Sequence, residues 1–236
     1  MGFLDACAPA RCTVCDAVYR YGDHPFREVL FGYALCPACR GSCAPSAAAH
    51  RCEVCSVPIP RFIRVCERCR REAFAFSRAV AVHRYSGVPE RVVAAFKFGP
   101  HRSLGRFIAE QLAPVLGDSF PAAVTLVPVP SSVRSVRRRG FAGGVVIARE
   151  LERITRVPAM ELLRSRKART QKALSYEDRR ANALRSVSLR PRRAVPRRIV
   201  LVDDVLTTGA TADSCARRLI EGGATEVCLL AYAIEY

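Results

Sequence analysis

Apolar positions along the last two thirds of the chain follow two periods, and the alternation between them predicts the fold. Residues 78–85 alternate as a strand does (Arg78-Ala-Val-Ala-Val-His-Arg-Tyr85), with one face apolar. Pro89 then suits the first turn of a helix carrying Val92, Val93 and Phe96. Ser103 is placed to cap a helix reaching Leu116, and Ala123–Val127 reads as a buried strand. Val145, Ala148, Leu151 and Ile154 recur at helical spacing within a predicted helix over 141–154. Arg198-Ile-Val-Leu-Val202 is an unbroken apolar run, as a central parallel strand requires. Cys215, Leu219 and Ile220 share one face of a helix over 212–222, which Gly222-Gly223 ends, and 226–234 reads as a closing strand. Strands alternating with helices predict an α/β domain: a parallel sheet flanked by helices. Residues 186–197, rich in Arg and Pro, read as an exposed connection.

The first third lacks this pattern and is dominated by cysteine. Ten of the twelve cysteines precede residue 70. Eight form four Cys-x-x-Cys pairs: Cys12/Cys15, Cys36/Cys39, Cys52/Cys55 and Cys66/Cys69. Residues 1–10 have neither a charged start nor a long apolar stretch, so no secretory signal is expected and a disulfide framework is disfavoured. Two cysteines two residues apart can turn both sulfurs onto one ion, and two such pairs complete a tetrahedral thiolate shell. The pattern predicts about two structural Zn2+ ions, the simplest assignment giving one to each successive couple of pairs; a crossed assignment fits the spacing as well. With every position filled by sulfur, no site is left for a catalytic water, and a segment this short needs the metal to fold. The two halves form a weak internal repeat. Cys7 and Cys43 are surplus thiols, and His24 and His50 read as exposed. The chain thus divides into a small double zinc-ribbon module over 1–73 and an α/β domain over 74–236.

Charge adds a second expectation. The formal net charge is +17, carried by 35 arginines and three lysines, Lys97, Lys167 and Lys172. Two four-thiolate zinc sites would lower it to about +13. From Arg134 to Arg198 there are 20 basic and 5 acidic residues, a surplus of 15. Such a face attracts polyanions, although a GC-rich genome also replaces Lys by Arg through codon use. No apolar run approaches the roughly 18 residues a membrane-spanning helix needs. These features predict a cytoplasmic protein, with attachment to the inner membrane only through partners.

The most specific chemistry lies in 199–211. A buried strand delivers Asp203 and Asp204 to the carboxyl edge of the sheet, where open α/β folds bind ligands. The chain then turns through Val205, Thr207, Thr208 and Gly209 into a helix begun by Ala210 and Thr211. Successive amides and a positive helix end attract a phosphate, the threonines can donate hydroxyls, and paired carboxylates suit vicinal hydroxyls or a Mg2+ ion bound with them.

The segment Leu201-Val-Asp-Asp-Val-Leu-Thr-Thr-Gly-Ala-Thr211 closely resembles the signature of type I phosphoribosyltransferases. The resemblance implies that Asp203 and Asp204 hold the ribose hydroxyls of phosphoribosyl pyrophosphate, as catalytic acids if the chain is an enzyme. It implies that Val205 and Thr207–Thr211 hold the 5′-phosphate, with Mg2+ accompanying the ligand. The whole chain is similar to the ComF family, which joins zinc-ribbon cysteines to such a domain. Phe96-Lys97-Phe98, Leu126-Val-Pro-Val-Pro130, Arg137-Arg-Arg-Gly-Phe141, Gln171-Lys-Ala-Leu-Ser175 and Arg179-Arg-Ala-Asn182 carry that similarity. It implies a role with single-stranded DNA and DNA-uptake proteins during competence. A pyrophosphate loop is expected at 130–132, including Ser131, with Arg137, Arg138 and Arg139 as clamps. Phe96, Phe98, Phe141 and Tyr176 are the stacking platforms a single-strand binder would use. One departure stands out: the family usually has Asn-Gln after Gly-Phe, and this chain has Ala142-Gly143. Nothing in the pattern names an acceptor base or an oligomeric state.

Overall fold

A computed structural model describes residues 10–19, 35–43, 50–99, 101–120, 124–165 and 187–236. Cys7, His24, Tyr176 and the motifs at 171–175 and 179–182 lie outside them.

The C-terminal part is a four-stranded, wholly parallel sheet. Its strands are β3 (Arg78–Arg84), β4 (Thr125–Pro128), β7 (Arg198–Leu206) and β8 (Glu226–Ile234), in spatial order β3-β8-β7-β4. The central strands are apolar on both faces, as a doubly covered parallel sheet demands. Val200, Val202, Leu230 and Tyr232 point to one side, while Ile199, Leu201, Val227 and Leu229 point to the other. The first side is covered by α3 (Val88–Phe98), α4 (Leu104–Ser119) and α6 (Gly143–Thr155). The second is covered by α7 (Ala210–Glu221) and a small hairpin of β5 (Leu163–Ser165) with β6 (Val187–Leu189). A short helix, α5 (Val133–Arg139), follows β4.

Two expectations change. The connection read as exposed over 186–197 begins with β6, whose Val187 is buried in the second core. Its arginine-rich composition hides that anchor and two half-buried residues beside it, Leu189 and Val195. Ser103 does precede α4, but its backbone is already helical and its side chain makes no capping bond.

The cysteine-rich part contains β1 (Ala10–Arg11), β2 (Val18–Tyr19), α1 (Pro37–Gly41) and α2 (Glu67–Arg71). The sequence repeat becomes a structural one. The turns after Cys12 and Cys52 close alike, with Asp16 N–H donating to the Cys12 carbonyl at 2.8 Å and Ser56 N–H to the Cys52 carbonyl at 2.9 Å. Both Asp16 and Ser56 sit at positive φ. Cys36 and Cys66 are then the N-caps of α1 and α2, each sulfur accepting from the amide three residues on.

These elements also protect the sheet. An unpaired strand edge invites association with another chain. On β3 the edge is covered by the second repeat: Ala79 N–H donates to the Val54 carbonyl at 2.7 Å and Ala81 N–H to Ser56 Oγ at 3.1 Å. On β4 the chain at 158–160 does the same through Leu126. The first repeat packs on the opposite face, where Cys43 is fully buried beside the Tyr232 hydroxyl at 3.5 Å.

Candidate functional site

The eight paired cysteines form two clusters. Cys12, Cys15, Cys36 and Cys39 bring their sulfurs within 4.8 Å of one another, as do Cys52, Cys55, Cys66 and Cys69. The sulfurs therefore gather in sequential couples of pairs rather than crossed ones. Zn–S bonds of about 2.3 Å in a tetrahedron put sulfurs about 3.8 Å apart, and Cys15–Cys36 and Cys55–Cys66 are each separated by 3.7 Å. Backbone amides support the sulfurs: Cys39 N–H points at Cys36 Sγ (3.4 Å) and Cys66 N–H at Cys52 Sγ (3.3 Å). Burial, followed by the neighbouring Cys52, pushes the Cys55 thiol up to about 12, whereas Cys52, despite its own burial, is drawn down to about 7 by the amides of Cys66, Cys55 and Val54. Each cluster could hold one structural zinc. Cys43 joins neither, and His50 is half-buried, its Nε2 lying 2.6 Å from the Ile63 carbonyl. The reading of His50 as exposed is thus corrected.

The phosphate-loop residues lie at the carboxyl end of the sheet. Asp203 and Asp204 are inside β7, which runs on to Leu206 beside β8, whereas β4 ends with Pro128 paired to Val202. The acids therefore project past the end of one neighbour and beside the other. Beyond them Gly209 adopts φ 74° and caps α7, a conformation that costs glycine little. Thr207, Thr208 and Thr211 are exposed around that helix end. α6 seats close to the strands because Gly144 has no side chain: a Cβ there would lie 2.8 Å from the Val129 carbonyl.

A pocket of about 340 Å³ opens here, lined by Asp203, Asp204, Val205, Thr207, Thr211, Ser131 and Arg139 among others. Thr208 and Gly209 face a separate cleft on the other side of the loop. Arg137 and Arg138 do not line the pocket, and Arg138 instead lies over Phe98, 5.0 Å from the ring centroid. Phe96 is core, while Phe98 is 66% exposed. The expected pyrophosphate loop leads into α5, with Ser132 as N-cap accepting from Ser135 N–H at 3.1 Å.

Sequence reading passed over Tyr85, Glu235 and, above all, Lys97, whose Nζ is 2.6 Å from Asp204 Oδ1. A signal existed: Lys97 is one of three lysines in a chain that otherwise uses arginine. Burial and then the charge of Asp204 push the Asp203 carboxyl up to about 8, against the pull of Lys97 and Arg139. Asp203 Oδ1 accepts from Asp204 N–H at 2.9 Å. The Nε of Arg139 is buried and has no hydrogen-bond partner among the described residues. Two acids, two cations and an open helix end can together hold a polyhydroxylated phosphate. The departure at Ala142-Gly143 falls on this wall: a Cβ on Gly143 would lie 3.6 Å from both Arg139 Nη1 and Asp204 Oδ2.

Fold and site together define a phosphoribosyltransferase-type α/β domain joined to a pair of four-cysteine modules. No protein-family profile matches the chain. Over most of its length it is similar to Competence protein ComFC of Bacillus subtilis, with 26% identity over 90% of this chain and 89% of that protein. Competence protein F of Haemophilus influenzae is 27% identical over 75% of this chain and 81% of its own. The DNA utilization protein YhgH of Escherichia coli K12 is 27% identical over 82% and 93% respectively. Over most of its length the chain is thus similar to ComF-type competence proteins, and its two four-cysteine clusters fit that likeness. Among solved structures, the allosteric regulatory enzyme of purine biosynthesis overlays on 54% of this chain and 26% of its own, at TM-score 0.39 and 23% identity.

No helix among the described residues is long and apolar enough to cross a membrane.

Proposed function

We propose that this chain binds phosphoribosyl pyrophosphate in the acid-lined pocket, and that it does so as a cytoplasmic protein handling single-stranded DNA. The observation that carries the first part is the juxtaposition of the Asp203-Asp204 pair with Thr207 and Thr211, which flank the start of α7, in one pocket. Vicinal hydroxyls suit the carboxylates, and a 5′-phosphate suits the amides and threonine hydroxyls at the helix start. Lys97 and Arg139 supply cations for the anhydride phosphates. Mg2+ would enter with the ligand, held by its phosphates and the two acids, and would neutralise charge there. The DNA role is supported by the names of the relatives, a competence protein and a DNA utilization protein, and by the surplus of arginine. Calorimetry with phosphoribosyl pyrophosphate and Mg2+ tests the pocket. Wild type binds, whereas Asp203→Asn with Asp204→Asn folds and loses affinity; equal affinity in the two proteins would remove the ribose assignment.

A second reading is transferase activity, favoured by the same two cations. An acceptor nitrogen would bond to ribose C1 as the C1–O bond breaks, the electron pair leaving with pyrophosphate. Lys97 and Arg139 would stabilise that developing charge. Pyrophosphate release across a panel of bases separates the two readings.

A further inference from the structure

The loop that borders the acid pocket has a second cleft on its other side. This cleft has a volume of about 330 Å³ and lies between the second cysteine cluster and the phosphate loop. Its walls are apolar and aromatic: Phe74, Phe76, Leu206 and Ile234. Phe74 stacks on Phe76 with centroids 4.8 Å apart, and its edge abuts the loop, since a Cβ on Gly209 would lie 3.3 Å from Phe74 Cε1. The guanidinium of Arg68 lies over the outer face of Phe74, 5.3 Å from the centroid, and donates to the Thr208 carbonyl. Arg68 remains 38% exposed, so its own outer face is open.

We propose that this cleft takes the planar base of a nucleotide whose sugar and phosphate occupy the acid pocket. The two cavities meet at Thr207 and Glu235, which line both. A ligand anchored by its 5′-phosphate at the helix start can therefore pass a second group over that ridge. The cleft selects what the group is. Its apolar walls favour a flat ring, the guanidinium of Arg68 offers a face to stack on and hydrogens to donate, and the exposed carboxylates of Glu67 and Glu235 accept from exocyclic amines. A phosphate or a free sugar would leave those walls unsatisfied. The second cysteine module thus supplies half of a base site as well as covering a strand edge.

The proposal rests on the sugar-phosphate reading of the acid pocket, and the test separates the two. Calorimetry on the full zinc-loaded chain compares ribose 5-phosphate with adenosine and cytidine 5′-monophosphates. Stacking on such a platform contributes about 1–3 kcal/mol per base, so the nucleotides bind about 5- to 150-fold more tightly than the sugar phosphate. Val57→Phe fills the cleft from a position outside the acid pocket. It brings the nucleotides down to the affinity of ribose 5-phosphate and leaves the sugar phosphate unchanged; Val57→Leu does the same in part if the larger ring unfolds the protein. Equal binding of sugar phosphate and nucleotides to wild type overturns the base site and leaves the acid pocket standing. Failure of all three ligands to bind overturns both.

Discussion

Lys97→Met removes the cation from the acid pair while keeping the apolar stem of the side chain. Lys97 Nζ is 2.6 Å from Asp204 Oδ1, with the two side chains 21% and 10% exposed. At an effective dielectric of about 20, the gross attraction at that distance is about 6 kcal/mol. Desolvation of both charges offsets part of it, and stripping one partner from a buried pair typically costs about 3–5 kcal/mol. This pair faces an open pocket, so the lower end applies: about 3 kcal/mol at neutral pH. With an m-value of about 2–3 kcal/mol/M, that moves the urea midpoint down by about 1 M.

The loss has a defined pH sense. The Asp203 carboxyl is already raised to about 8 by burial and by Asp204, with Lys97 opposing. Removing Lys97 takes away that opposition and raises the Asp203 carboxyl further. An acid whose folded value lies above its unfolded value of about 3.9 holds more protons when folded, so stability falls as pH rises through the interval. At pH 6 Asp203 is protonated in both proteins and does not register the change, whereas at pH 9 it does. Urea unfolding followed by circular dichroism, with zinc present, should give a larger gap between variant and wild type at pH 9 than at pH 6. Lys97→Met with Asp204→Asn should recover most of the loss. A loss under about 0.5 kcal/mol, or one independent of pH, would refute the argument.

Elemental analysis should find two zinc ions per chain, and the clusters should differ in effect. Cys66→Ser should weaken phosphoribosyl pyrophosphate binding more than Cys36→Ser, because α2 carries Arg68, which holds the Thr208 carbonyl, and leads to Ala75, whose amide donates to buried Asp213 of α7 at 2.7 Å; equal effects on calorimetric affinity would refute that coupling. The basic residues should also divide. Arg149 and Arg153 are engaged by Glu152, Glu161 and Glu150, whereas Arg134 and Arg137 meet no carboxylate among the described residues and Arg138 lies over exposed Phe98. Replacing Arg134, Arg137 and Arg138 by Gln should reduce the salt slope of single-stranded DNA binding by about 2, measured by fluorescence anisotropy, and an unchanged slope would move the DNA contact elsewhere.

What the chain discloses and what it hides divide by sequence distance. The apolar run into Asp203, the turn at Gly209 and the Cys-x-x-Cys spacing are local, so a reading of neighbours suffices to place a strand, its turn into a helix and two four-cysteine clusters. Lys97 reaches Asp204 across more than a hundred residues, and Asp213 is joined to Ala75 across 138. No local period encodes either contact. The packing of the second cysteine module is hidden in the same way. Val54 and Ser56 look like ordinary knuckle residues, yet they complete the β3 edge, and Phe74 and Phe76 look like linker until Gly209 is set against them. Lys97 was missed within the α/β half, whereas Val54, Ser56 and Arg68 are residues through which the cysteine-rich half meets the other. A zinc module that merely folded alongside the α/β domain would need none of them. Their presence makes the loop between β7 and α7 a joint product of both halves, and an ion held by the second cluster would shape a pocket it never touches.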